Sequence, residues 1–257
     1  MKTMRKKISL LLVLSAVLFL SSCLDSGDNS YIGNNEFSYI TRTDNGTVYA
    51  RTLAGYFITS PKISIYSPGT AALLTYQITE ETETIVETVS NGEKITIHKV
   101  NLGGEPVELE QSVLQNMEAP DTDTVYFESP LIIQTWVPNY SAYFEDRWPI
   151  EFQYKSKKGE SVKVNFYKVA EDKLPENLNA DVLIDVRLKK TGTPESGASE
   201  ELKNGLIVAN MSMLRQTPGE VDNQETKPLR IKFRYFRSDK KDELHISDQS
   251  ITITVQK

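Results

Sequence analysis

Two kinds of apolar spacing recur along the chain beyond residue 36, and both belong to strands. Phe37–Thr43 and Thr47–Thr52 read as strands on either side of Asp44-Asn45-Gly46, since Asn-Gly accepts the positive φ that a tight hairpin requires. Tyr56-Phe57-Ile58 is a short apolar run that ends before Pro61, and Ile63 and Ile65 alternate with polar neighbours until Pro68-Gly69 turns the chain. Ala71–Thr79 (AALLTYQIT) is the most apolar stretch of this half and reads as its centre. Thr84–Ser90 and Lys94–Leu102 join across Asn91-Gly92, with Ile95, Ile97 and Val100 predicted to face inward. About six short strands within roughly 65 residues suit a small curled barrel that closes its own edges.

The pattern changes at Val107–Met117 (VELEQSVLQNM), where Val113, Leu114 and Met117 fall at helical spacing and predict a short helix. Glu118–Thr124 then reads as a linker. Beyond it one apolar face and one wet face return repeatedly. Ile150, Phe152 and Tyr154 alternate with Glu151, Gln153 and Lys155, and Val162, Val164 and Phe166 follow a Lys158-Gly159 turn. Val182, Ile184, Val186 and Leu188 continue the pattern, then Leu206–Met213, then Leu229, Ile231, Phe233 and Tyr235, and finally Ile251, Ile253 and Val255. That alternation predicts an antiparallel β-sandwich. The fold class is therefore all-β: a small OB-like β-barrel followed by an antiparallel β-sandwich. Thr191–Asn204 and Gln216–Lys227 read as long polar loops.

The start of the chain has a different character. Lys2, Arg5, Lys6 and Lys7 precede the apolar run Ile8–Leu20, which has the length of a signal-peptide core and falls short of the roughly 20 residues of a membrane span. Leu20-Ser21-Ser22-Cys23 comes next, and it resembles a bacterial lipobox. The resemblance implies cleavage between Ser22 and Cys23, a diacylglyceryl group on the Cys23 sulfur and acylation of the new amine. The alternative is an ordinary secretory signal with a chance cysteine. Cys23 is the only cysteine, so the mature chain forms no internal disulfide, and lipidation gives the lone thiol a role. Two or more acyl chains suffice for stable anchoring, at about 0.8 kcal/mol per buried methylene.

The predicted organisation is a signal peptide over 1–22, a flexible tether over 23–35, the barrel over 36–104, a linker with a short helix over 105–124 and the sandwich over 125–257. Asp25 and Asp28 in the tether resemble the export tags of surface lipoproteins in Bacteroidetes, and Asp123-Thr124-Val125 resembles an O-glycosylation pattern of exported proteins there. Removing the four cations of residues 1–22 takes the formal charge from −6 to −10. Such an acidic body argues against a nucleic-acid partner, which would call for a basic stripe.

Candidate chemistry is sparse. His98 and His245 have no neighbour at metal-ligand spacing, which predicts no zinc site, no metal and no cofactor. No nucleophile elbow and no phosphate loop is present. Glu80, Glu81, Glu83 and Glu87 offer carboxylates of the kind glycoside hydrolysis uses, yet read as a solvated hairpin edge. Asp121 and Asp123 lack a calcium-loop pattern. Arg230, Lys232 and Arg234 read as a solvated basic face. The aromatic stretch Gln134–Trp148 stands out, with Trp136, Tyr140, Tyr143, Phe144 and Trp148 among amides and carboxylates. Flat rings beside polar groups suit a sugar-binding platform; the same rings also suit capping the sandwich or packing against the first domain, because aromatics dominate cores and interfaces.

Lipobox, tether, barrel and sandwich in this order resemble the NigD-like lipoproteins of Bacteroidetes. The residues that carry the resemblance are Leu20-Ser21-Ser22-Cys23, the segment Phe37–Thr79 with its Asp-Asn-Gly hairpin, and the closing strands RIKFRYFR and ITITVQK. It implies a barrel followed by a sandwich, no established enzymatic activity, and an outer-membrane address facing the periplasm or the cell surface. The function so read is a non-enzymatic envelope lipoprotein that binds or scaffolds, held to the membrane by the lipid on Cys23, with a glycan or an envelope protein as partner. Two other readings stay open: a surface glycan-binding lipoprotein using the aromatic stretch, and a fimbrial subunit.

Overall fold

The computed structural model describes residues 30–90, 92–121, 125–134, 143–215 and 226–256. Regular structure there is strand, apart from single 3-10 turns at Tyr143–Glu145, Glu171–Lys173 and Ser212–Arg215. The first sheet contains β1 (Tyr31–Arg42), β2 (Val48–Thr52), β3 (Phe57–Thr59), β4 (Ala71–Ile78), β5 (Thr84–Thr88), β6 (Lys94–Lys99) and β7 (Val107–Glu108). Their order is β5-β6-β3-β2-β1-β4-β7. The Asp-Asn-Gly hairpin forms as the sequence predicts: Arg42 pairs with Val48, and Gly46 sits at φ 88°. The sheet curls, because the chain leaving β6 returns to β4, where Leu102 bridges Tyr76 and the Gly103 N–H donates to the Thr75 carbonyl at 2.8 Å.

β1 and β4 are apolar on both faces because each serves two cores. Ile40, Ala72, Leu74, Tyr76 and Ile78 fill the barrel, whereas Phe37, Tyr39 and Ala71 join the core of the second sheet. Side chains alternate sides along a strand, so adjacent residues are delivered to different interiors. This is why AALLTYQIT shows almost no polar alternation. β1 also starts at Tyr31, within the stretch predicted to be tether, where Tyr31 pairs with Ile78 beyond a bulge at Gly33/Glu36. Gly33 has no side chain because a Cβ there would lie 2.3 Å from the Tyr76 ring.

The second sheet contains β8 (Gln111–Gln115), β9 (Ile132–Ile133), β10 (Arg147–Lys157), β11 (Glu160–Lys168), β12 (Val182–Gly192), β13 (Glu200–Asn210), β14 (Thr226–Arg237), β15 (Lys240–Ile246) and β16 (Ile251–Gln256). The order is β15-β14-β12-β11-β8-β13-β10-β9, with β16 also on β14. Lys158-Gly159 turns the chain tightly, but β10 and β11 then part: β10 pairs with β13 and β11 with β12. β8 occupies the gap, parallel to both β11 and β13. The predicted helix over Val107–Met117 is thus replaced by two strands, one in each sheet. Intrinsic helix propensity gives way to two sets of ladder hydrogen bonds and to the full burial of Leu114. β12 and β14 are parallel as well, so the sheet is mixed where the alternation predicted a purely antiparallel one.

Phe127 pairs with Tyr154 of β10 and with Arg237 of β14, strands far apart in the sheet order, so the second sheet also curls round on itself. Glu128 fastens the closure, its carboxylate accepting from Lys155 Nζ at 3.0 Å and from Ser238 Oγ at 3.1 Å. The core inside is aromatic: Phe127 packs edge-on to both Phe152 and Tyr235, and Trp148 to Phe233. Phe152 lies across from Gly205, where a Cβ would meet its ring at 2.3 Å.

Candidate functional site

Cys23, Ser22, Trp136 and Tyr140 lie outside the described residues, as do Asp123 and Thr124. The other three rings of the predicted platform are interior: Tyr143 is 5% exposed, Phe144 7% and Trp148 0%. Trp148 alternates with Ile150 and Phe152 along β10, so the strand repeat itself turns it into the core. Phe144 meets Phe37 of β1 edge-on at 5.1 Å and Tyr143 at 4.7 Å. Phe144 thereby joins the two sheets, whereas Trp148 packs within the second against Phe233.

The backbone beyond Tyr143 is unusual. Phe144, Glu145 and Asp146 have φ values of 43°, 56° and 60°, three consecutive left-handed residues without a glycine. Each such residue costs on the order of 1–2 kcal/mol, so the surroundings must hold the turn in place. They do so from both sheets. The Tyr39 hydroxyl donates to the Glu145 carboxylate at 2.6 Å, and the Arg147 guanidinium lies 4.8 Å over the Tyr39 ring while donating to the Glu145 carbonyl at 2.9 Å. Asp146, 2% exposed, accepts Arg215 Nη2 at 2.9 Å and Arg215 Nε, and Arg215 Nη1 reaches the Thr254 carbonyl of β16. The Met211 N–H closes on the Asp146 carbonyl at 2.8 Å. Burial, then the hydrogen bond to Glu145, pushes the Tyr39 hydroxyl well above its ordinary range, so it stays a donor. Burial alone pushes Tyr143 up to about 12.

A groove of about 640 Å³ opens beside this turn, within the size range of ligand sites. Its walls come from the β1–β2 hairpin (Arg42, Thr43, Asp44), the Pro68-Gly69 turn and Ser90 on one side, and from Glu145 and Arg147 on the other. Two cations, two anions and several hydroxyls converge there. Tyr39 contributes its hydroxyl while its ring is covered by Arg147, so the groove offers polar and charged contacts rather than a stacking face.

No family model matches the sequence, and no curated protein matches it. Among solved structures, the chain is similar to a proposed lipoprotein of Bacteroides fragilis, at 13% identity over 89% of this chain and 98% of that one, with a TM-score of 0.49. It is also similar to a proposed toxin-related protein of Parabacteroides distasonis, at 15% identity over 89% and 94% of the two chains with a TM-score of 0.47. An uncharacterized protein of Parabacteroides merdae is 12% identical over 86% of this chain and 99% of that one, with a TM-score of 0.46.

The remaining candidates are dispersed. His98 packs against Tyr56 in the first sheet and His245 against Tyr235 in the second. Among the described residues no group of three or more His, Cys, Asp or Glu side chains is placed to hold a metal ion. Of the acidic hairpin edge, Glu83 pairs with Lys99 at 3.1 Å and Glu87 accepts Asn45 Nδ2 at 2.7 Å. The basic row on β14 is not simply solvated. Arg230 meets Asp181 at 3.6 Å and Arg234 meets Asp185 at 2.8 Å. The acids come from β12 and the segment before it, strands apart in sequence, so only the parallel register between β12 and β14 brings them together.

Proposed function

We propose that the protein is a non-enzymatic envelope lipoprotein, anchored in the outer membrane by acyl chains on Cys23, whose body binds or scaffolds a partner through the groove beside the left-handed turn. The single observation that carries this reading is Leu20-Ser21-Ser22-Cys23 behind a basic and then apolar start, with no other cysteine in the chain. The resemblance to NigD-like lipoproteins belongs with it. The first described strand begins at Tyr31, and the residues between it and Cys23 can span at most about 25 Å. A body held that close to a bilayer meets partners at the membrane, on the periplasmic side or at the cell surface.

The groove supports a contact role because its geometry is fixed by both sheets at once, through Tyr39 and Phe37 on one side and Glu145, Arg147 and Arg215 on the other. A rigid polar site binds without the ordering cost that a loose one carries. An envelope protein or a glycan presenting charged groups is the partner such a surface suits.

Replacing Cys23 with alanine is expected to move the protein from the membrane fraction to the soluble fraction; retention in the membrane would refute the anchor. For the contact role, a photo-crosslinking residue at Arg42 is expected to yield discrete adducts in intact cells, and the same residue at Lys163, exposed on β11, is expected to yield none. Equal adducts at both positions, or none at Arg42, would refute the groove as the contact site.

A further inference from the structure

The pairing register places four polar side chains in one row on the outer face of the second sheet. Gln115 of β8 pairs with Tyr167 of β11, Tyr167 with Asp185 of β12, and Asp185 with Arg234 of β14. Residues directly opposite one another project to the same side, and this side is opposite to Phe166, Ile184 and Phe233, which fill the core. An outward-facing aspartate would ordinarily be solvated, yet Asp185 is 1% exposed. The segments leaving β8 and β11 cover it, and between them remains a cavity of about 120 Å³ lined by Met117, Ala119, Tyr167, Val169, Asp185 and Arg234.

Charge does not balance there. Asp185 accepts Arg234 Nε at 2.9 Å and Arg187 Nη2 at 2.9 Å, so one buried carboxylate faces two guanidinium groups. At the rim Lys173 and Glu118 neutralise each other at 2.7 Å. The site therefore lacks anionic charge, and Arg234 is felt as far as the rim, where after Lys173 it helps to lower the Glu118 carboxyl. A guanidinium carries five N–H donors in a planar fork, of which Asp185 engages two from Arg234. The walls opposite are apolar.

We propose that this cavity binds a small organic carboxylate, its anion at Arg234 and its short apolar body against Met117, Ala119 and Val169. Size sets the limit: a cavity of about 150 Å³ holds benzene, so this one takes a molecule of about six heavy atoms, such as butyrate. A hydrated inorganic anion gains nothing from the apolar wall, and a cation meets the wrong sign of charge.

The test is calorimetric titration of the detergent-solubilised full chain with sodium butyrate, sodium phosphate and n-butylammonium chloride in turn. Butyrate is expected to bind at one saturable site with a dissociation constant on the order of a millimolar, as suits so small a ligand. Phosphate is expected to bind at least tenfold more weakly and butylammonium not at all. Ala170 also lines the cavity, so Ala170→Trp fills it from an exposed position, and Lys173→Glu reverses a rim charge; each is expected to weaken butyrate at least tenfold with the melting temperature kept. No saturable butyrate binding, equal binding of phosphate or butylammonium, or affinity unchanged in both variants would overturn the assignment.

Discussion

Replacing Leu114 with alanine tests how the two sheets are joined. Leu114 is fully buried in the middle of the second sheet, on a strand that continues from the last strand of the first. The substitution removes three carbons, worth about 2.5 kcal/mol of transfer free energy. Partners on both sides hold β8 in register, at Phe166 of β11 and at Val208–Asn210 of β13, so the site cannot close over the vacancy. A residual cavity adds about 1 kcal/mol, for a total of about 3–4 kcal/mol. For a chain of this size that corresponds to a fall in Tm of roughly 10 °C. Urea unfolding followed by fluorescence and by circular dichroism is the assay. Ile58→Ala in the barrel and Val113→Ala, 53% exposed on β8, serve as companions. Leu114→Ala and Ile58→Ala are expected to shift the same single transition, while Val113→Ala costs under about 1 kcal/mol. A Leu114→Ala cost as small as that of Val113→Ala would refute the wedge position of β8. Two separate transitions, each shifted by only one of the core variants, would refute the shared core.

Three further predictions concern the same joints. Arg215→Met leaves Asp146 buried without its partner and is expected to cost about 3–5 kcal/mol; adding Asp146→Asn should restore part of it, and equal losses in single and double variants would show that the charge is not what matters. Gly205→Ala drives a methyl group into the Phe152 ring and is expected to cost about 1–3 kcal/mol by chemical denaturation, whereas a neutral result would mean the ring is free to move. Burial raises the hydroxyls of Tyr143 (to about 12), Tyr39 and Tyr76 above the unfolded value near 10, so the folded chain keeps protons that the unfolded chain loses. That contribution is complete below about pH 10 and fades as pH rises through the folded values. Absorbance at 295 nm should therefore show a subset of tyrosines that ionise only on unfolding, and a single titration of all of them near pH 10 would contradict it.

Most strands were legible from alternation alone, because a repeat of two residues with one apolar face suits little besides a half-buried strand. The Asp-Asn-Gly hairpin was legible from backbone chemistry. Val107–Met117 was not, since Glu, Gln, Leu and Met at helical spacing satisfy local propensity while the pairing that decides the outcome involves β11 and β13, much later in the chain. Lys158-Gly159 announced a turn correctly without revealing that its two strands would separate. At the candidate sites the contrast is sharper. Phe144 and Glu145 carry none of the glycine, asparagine or aspartate that marks positive φ, so their geometry comes from tertiary contacts. The pairing of Asp185 with Arg234 depends on a parallel register that no local pattern records.

The central position of β8 also constrains the order of assembly. The ribosome makes this strand before either of its neighbours, and β13, which pairs with its Gln111–Val113 part, emerges roughly a hundred residues later. The barrel half can pair its strands as soon as Glu108 is available, but the other half stays open until β14 and β16, which ends at Gln256, have been delivered. Completion of the second half is therefore deferred until nearly the whole chain has been made.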